Sequence, residues 1–237
     1  MTLMSTREGE GRHMSTRSAV RTARVRFGGR QTPTGYLFEL TGGNLCLDLS
    51  NTVDERPTDH PRELLPRYQD LLDWAVQAGA LAGTEATELR DHARCHRRAA
   101  SSALRALSEV REAIFDVFSA VADRRDMPAG ALAVLNRVMP GALGRRCLER
   151  QGGRFVWAWR RSPRPDLNRV LWPVVWTAAE LLTSSEIERI RRCAGSGCAW
   201  LFIDRSKNQT RRWCDMSVCG NRSKARRHYA SVKRLRE

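Results

Sequence analysis

Between residues 36 and 188, apolar positions fall mainly at three- and four-residue steps, the period of a helix with one buried face. Order is expected to begin with the strand-like YLFEL, Tyr36–Leu40, which Gly42 and Gly43 end. Asn44 is a good N-cap for a short helix with Leu45 and Leu49 one turn apart. Asp48, Asn51, Thr52, Asp54 and Arg56 crowd its end, and Pro57 and Pro61 mark a loop. A helix over 66–78 carries Tyr68, Leu71, Leu72, Trp74 and Ala75, with Gly79 as its stop. One long helical stretch covers 84–123, where Leu104, Leu107, Ile114, Phe118 and Val121 recur among Glu109, Arg111, Glu112 and Asp116. Pro128 and Gly130 break the pattern, and the helix of ALAVLNRVM is expected to end before Pro140. Gly152-Gly153 signals a hairpin turn, after which Phe155, Trp157 and Trp159 alternate onto one face. Residues 162–168 form a loop, and the apolar helix Val170–Leu182 holds Pro173 either in its first turn or at a kink. The pattern predicts a mainly α protein with small β elements, an α+β fold.

Three regions follow: 1–33, a basic extension expected to be disordered; 34–188, an α-rich domain; and 189–237, a cysteine-bracketed module. The extension is polar and Arg-rich, with too few large apolar residues to offset the entropy of ordering it. Met14 offers an alternative start. The 237 residues are enough for one medium domain and a small one. No apolar run is long enough to span a membrane, and no leader pattern opens the chain, so the cytoplasm is the expected location.

Charge separates the ends from the middle. Residues 189–237 carry 14 Lys+Arg against 3 Asp+Glu, and residues 1–30 carry 7 against 2. Residues 31–188 carry 20 against 21, so almost all of the net +15 lies at the two ends. A basic end of this kind points to a polyanionic partner.

Four of the seven cysteines stand as Cys193-x4-Cys198 and Cys214-x4-Cys219, 15 residues apart. Two close pairs of thiolates match a structural tetrahedral zinc site and predict one Zn²⁺. Two disulfides are the alternative, and the absent secretory leader argues against them. AWLFID (199–204) and RRWC (211–214) read as the strands of a hairpin turned by RSKNQT (205–210), with a helix from Asn221. Knuckle, hairpin, knuckle and helix make a treble-clef-like arrangement. Its outer face offers Arg205, Lys207, Asn208, Arg211, Arg212, Asn221, Arg222, Lys224, Arg226 and Arg227 to nucleic acid, with Trp213 as a base-stacking candidate. Asn221 is either a helix cap or a base contact. Ala225, Tyr229, Val232 and Leu235 form a thin stripe expected to pack back on the hairpin.

This module resembles the CGNR zinc-finger family, named for the motif that stands here as Cys219-Gly220-Asn221-Arg222. Upstream, GGNLCLDLSNTVDER, LLDWAVQAGAL and WPVVWTAAELL resemble the ABATE domain that precedes such fingers. The resemblance covers residues 36–230; the Arg-rich extension before Tyr36 departs from it. It implies a bacterial, cytoplasmic, stress-responsive transcription regulator, with an α-rich sensor domain ahead of a DNA-binding finger. An RNA-binding or ribosome-associated zinc protein, and an enzyme with its site in the middle domain, are the alternatives. A homodimer would give a lone finger adequate specificity.

The sensor role directs attention to Asp48, Asn51, Thr52 and Arg56 as a ligand-binding cluster, against a purely capping and pairing role. Trp157, Trp159 and Trp172 either wall such a pocket or belong to the core. No catalytic constellation is expected. His92 and His96 stand four apart without the Glu of a metalloprotease motif, Cys95 between them is a weak nucleophile candidate, and no phosphate-binding or nucleophile-elbow motif is present.

Overall fold

The computed structural model describes residues 28–33 and 35–234. An N-terminal hairpin pairs β1 (Gly29–Thr32) with β2 (Gly35–Phe38). Order therefore begins before Tyr36, and the end of the extension expected to be disordered is a strand; residues 1–27 lie outside the described residues. The pairing is backbone chemistry, so polar β1 gives no hydrophobic signal. Gln77 secures the hairpin through its side-chain amide, accepting from Phe38 N (3.0 Å) and donating to Tyr36 O (2.8 Å).

Helix α1 (Leu45–Ser50) starts where the Asn44 side chain accepts from Cys46 N at 3.1 Å. Two short strands, β3 (Val53–Asp54) and β4 (Arg62–Glu63), close the loop that follows, and α2 (Tyr68–Gln77) buries Tyr68, Leu71, Leu72, Trp74 and Ala75 as expected. The stretch 84–123 is two helices, α3 (Gly83–Cys95) and α4 (Arg97–Asp123). The break is at His96, with φ −122° and ψ 51°, and no Gly or Pro marks it. Its ring stacks on His92 at 4.0 Å, which accounts for the i, i+4 pair without a metal.

Helix α4 is the axis of the domain and touches α1, α2, α3, α5, α6 and the finger. Its stripe runs through Ala103, Leu107, Val110, Ile114, Val117 and Phe118, all buried. Arg111 lies inside this stripe and is buried because Glu63 takes both its Nη1 and Nη2, at 2.8 and 2.6 Å. Helix α5 (Ala129–Leu143) continues through Pro140 rather than ending before it. The ring removes one donor near the helix end, and burial of Leu135 and Ala142 on either side keeps the last turn in place.

Strands β5 (Arg146–Gln151) and β6 (Arg154–Trp159) form the expected hairpin. Its two-residue turn needs φ > 0 twice, which Gly152 (54°) and Gly153 (82°) supply. The aromatic face meets the core only at its end: Phe155 and Trp157 are 75% and 57% exposed, while Trp159 is half-buried against the core. Pro173 is the third residue of α6 (Leu171–Thr183), in the first turn, where its missing N–H has no helical partner to lose. A 3₁₀ turn (Ser185–Arg189) leads into β7 (Ile190–Arg192), which pairs with β8 (Leu201–Ile203), and α7 (Asn221–Arg234) ends the described chain. The fold is thus an α-rich domain followed by a small cysteine finger. Among the described residues no helix is long and apolar enough to cross a membrane.

Candidate metal centre and nucleic-acid interface

The first cysteine pair sits in the turn of the β7–β8 hairpin. Cys193 follows β7 directly and donates its N–H to Trp200 O (2.8 Å), while Cys198 N reaches Gly195 O (3.0 Å). A side chain at Gly195 would crowd this turn: an added Cβ would stand 3.4 Å from the sulfurs of both Cys193 and Cys219. The second pair is joined by a π turn, Met216–Gly220, with Cys214 just before it and Cys219 within it. Asp215 caps it, with Oδ1 accepting from Ser217 N (2.6 Å) and Val218 N (3.0 Å), which brings Cys219 back beside Cys214. The four sulfurs lie within 4.8 Å of one another and all four residues are buried. Cys198–Cys214 and Cys214–Cys219 are each 3.6 Å apart. Sulfurs around a tetrahedral zinc stand about 3.8 Å apart, given Zn–S near 2.3 Å, so the donor set fits that ion and leaves no open position. Gly195 N and Cys214 N point at Cys193 Sγ, both at 3.4 Å, and would stabilise its thiolate.

The other three cysteines stand apart from this cluster. Cys46 is in the main core, where burial pushes its thiol up; Cys95 is exposed; Cys147 lies in β5.

The expected strand 211–214 is not formed. The partner of β8 is β7, which precedes the first cysteine, and RRWC instead runs as a loop tied by Arg211 N to Asp204 Oδ2 (2.9 Å) and by Ala194 N to Arg212 O (2.9 Å). This places Ile190, Leu201 and Ile203 in the main hydrophobic core, while Trp200 and Phe202 pack around the cysteines. The finger is therefore built into the domain, not hung from it.

Asn51 closes this joint. Its amide donates to Leu201 O and accepts from Leu201 N, both at 2.9 Å, so one side chain stands in for a neighbouring strand. Trp200 Nε1 donates to Val53 O at 3.1 Å beside it. The other members of the expected ligand cluster are also used inside the fold. Asp48 accepts from Gly42 N (2.8 Å); Thr52 Oγ1 donates to Leu49 O (2.7 Å) and accepts from Arg111; Arg56 pairs with Glu112 at 2.5 Å and covers the Phe115 ring. Asp48 and Arg56 have different partners, and the four residues serve capping and the joint instead of a pocket.

Burial pushes Asp48 up to about 6, against the opposing Gly42 N–H. A carboxylate raised in the folded state lowers stability fully above that value, and the cost disappears below its unfolded value near 4. Asp48→Asn, which keeps an acceptor for Gly42, is expected to stabilise the protein by on the order of 1–2 kcal/mol at about pH 7.5 and by nothing at about pH 4. Urea unfolding at both pH values checks this, and a gain equal at both would place its cause elsewhere.

Residues 43–185 match the model of the ABATE family, described as "putative stress-induced transcription regulator", and residues 189–231 match the CGNR zinc finger. The chain belongs to the ABATE family. No curated protein matches it. In this ABATE protein the CGNR finger holds one structural zinc through Cys193, Cys198, Cys214 and Cys219.

The basic residues of the CGNR finger divide into two sets. Arg205 is a strut to the ABATE domain, with Nε and Nη2 on Glu186 (2.7 and 2.9 Å) and Nη1 on Gly43 O (3.2 Å). Arg211 braces the second knuckle: it donates to Trp213 O (2.9 Å) and to Cys214 O, and lies over the Phe202 ring. Both had been expected on the nucleic-acid surface, and their guanidinium groups hold the finger together. Trp213 is half-buried against the cysteine cluster, with Arg212 over its ring at 5.5 Å, which leaves little face for a base.

In the other set, Lys207 and Asn208 are exposed on the 205–210 turn, and Lys224 is exposed on α7. Arg222, Arg226 and Arg227 share a groove of about 260 Å³ with Gly195 and Ser196 of the first knuckle and Glu55 of the ABATE domain. Asn221 does not cap α7 by accepting an N–H; its Nδ2 donates to Ser217 O at 2.9 Å. Asp215 caps the Met216–Gly220 turn that runs into α7, and its position just after Cys214 is the available signal. The first half of the α7 apolar stripe does not pack back either. Ala225 is exposed and Tyr229 is 73% exposed, while Val232 is half-buried and Leu235 lies outside the described residues.

Proposed function

We propose that this ABATE–CGNR protein is a cytoplasmic DNA-binding transcription regulator that couples a signal sensed in its helical domain to the finger, and that it acts by binding and not by catalysis. The observation that carries the reading is the gathering of Arg222, Arg226 and Arg227 in one groove beside the zinc knuckle. Guanidinium groups on successive turns of an exposed helix suit phosphates along a duplex, and Lys207, Asn208 and Lys224 extend the basic surface. The family description supports the regulatory role. The half-buried Trp213, with Arg212 over its ring, weighs against single-stranded RNA, whose recognition relies on open aromatic faces. Fluorescence anisotropy of the zinc-loaded full chain at matched salt tests the reading. Duplex DNA is expected to bind more tightly than structured RNA, and the reverse order would replace DNA by RNA as the partner.

A further inference from the structure

The ABATE domain has a site with the chemistry of a ligand pocket away from the Asp48 cluster. A cleft of about 500 Å³ opens between the start of α3, the end of β6, the 160–166 loop and the start of α6. This is within the usual range for a small-molecule site. Trp159 and Trp172 wall it, with ring centroids 6.2 Å apart at 44°. The Arg169 guanidinium lies over both rings, 5.6 Å from Trp159 and 5.1 Å from Trp172.

Arg169 is the unusual member. Only 9% of it is exposed, its Nε is paired with Glu85 at 2.6 Å, and its Nη1 is enclosed with no hydrogen-bond partner. An unsatisfied buried donor is costly, more so on a charged group, and calls for an acceptor from outside the chain. Burial also pulls its pKa down, and Glu85 offsets this only in part. Charge around the cleft favours an anion. Arg161 is matched by Glu88 at 3.9 Å and Asp166 by Arg145 at 3.7 Å, while Arg160 and Arg164 have no ion pair among the described residues.

We infer that this cleft binds a small carboxylate with an apolar body, the body lying beside the Trp159 and Trp172 wall and the carboxylate received by Arg169 and the arginines of the 160–166 loop. Arg146 and Arg145 also lie over the Trp159 and Trp172 rings, at 4.5 and 5.0 Å, so the rings give the cleft an apolar wall and not two open stacking faces, while the Arg169 guanidinium matches the planar fork of a carboxylate. The inference bears on the signal half of the preceding reading and is measured without DNA, so either can fail alone.

Isothermal titration calorimetry on the zinc-loaded full chain tests it with benzoate, 2-naphthoate, the uncharged 2-naphthamide and inorganic phosphate. At least one of the two carboxylates is expected to bind saturably, with 2-naphthamide at least about tenfold weaker than 2-naphthoate. Phosphate should not compete. Arg169→Lys keeps the charge and loses the fork, and should weaken binding about tenfold or more. Thr84→Trp fills the cleft from an exposed position and should abolish binding with zinc content and circular dichroism unchanged. No saturable heat from either carboxylate, equal binding of the amide, competition by phosphate, or undiminished binding to Thr84→Trp would each overturn the assignment.

Discussion

Removing zinc is expected to cost this protein more than its finger. Structural zinc contributes an apparent 10–16 kcal/mol, roughly, in isolated finger peptides at neutral pH, and a module this small has little core to replace it. Cys214→Ser, or chelation of the wild type, should therefore unfold the knuckles and α7. The damage should then spread. Ile190, Leu201 and Ile203 belong to the core shared with α1 and α4, and Asn51 and Trp200 are bonded across the joint. If β8 leaves, the Asn51 amide and Val53 O lose their partners, at about 1–3 kcal/mol for each buried group left unsatisfied.

The helical domain of Cys214→Ser is thus expected to unfold at clearly lower urea than the wild type, followed through the far-ultraviolet signal at 222 nm, a wavelength about where helix dominates. Asn51→Ala separates the joint from the metal. It should retain one zinc per chain and still lose about 2–6 kcal/mol of stability, the sum for Leu201 N–H and C=O. An unchanged midpoint for the helical domain of Cys214→Ser would show that finger and domain fold independently. Protein purified at neutral pH without zinc and with its cysteines oxidised would return the site to two disulfides.

What could be read from the sequence was local. The cysteine spacing announced the metal because ligand type and short-range spacing define such a site. The α2 and α4 stripes announced themselves because a helix repeats its buried face every turn. What could not be read was pairing at a distance. Asn51 looks like any helix-end polar residue until Leu201, 150 residues later, is placed against it. RRWC has strand-like residues and suggests itself as the partner of β8, whereas the true partner Ile190–Arg192 lies just outside the cysteines and puts only Ile190 in the main core. The break at His96 has no breaker residue, and the polar β1 is held by its backbone ladder to β2 and the Thr32 hydroxyl, without an apolar face. Arginines were the hardest to place. Composition marks Arg205, Arg211, Arg226 and Arg227 alike, and only geometry shows that the first two are occupied by Glu186 and by the knuckle carbonyls.

That division of the arginines yields the sharpest test of the nucleic-acid surface. Arg226→Ala/Arg227→Ala alters two exposed positions on a helix that packs against little, so folding and zinc content should match the wild type. Each phosphate neutralised on duplex DNA contributes about 0.9 to the slope of log affinity against log salt. Loss of two contacts should flatten the slope by about two units, for all sequences alike. Over a fourfold rise in salt, wild-type affinity should then fall about tenfold more than that of the variant. Arg205→Ala gives the contrast. Its ion pair ties the finger to Glu186 and Gly43, so its loss should lower the melting temperature with little change in the salt slope. A slope unchanged in the double variant would move the DNA away from α7. A slope reduced more by Arg205→Ala than by the pair would move it to the 205–210 turn, on the opposite side of the second knuckle in sequence.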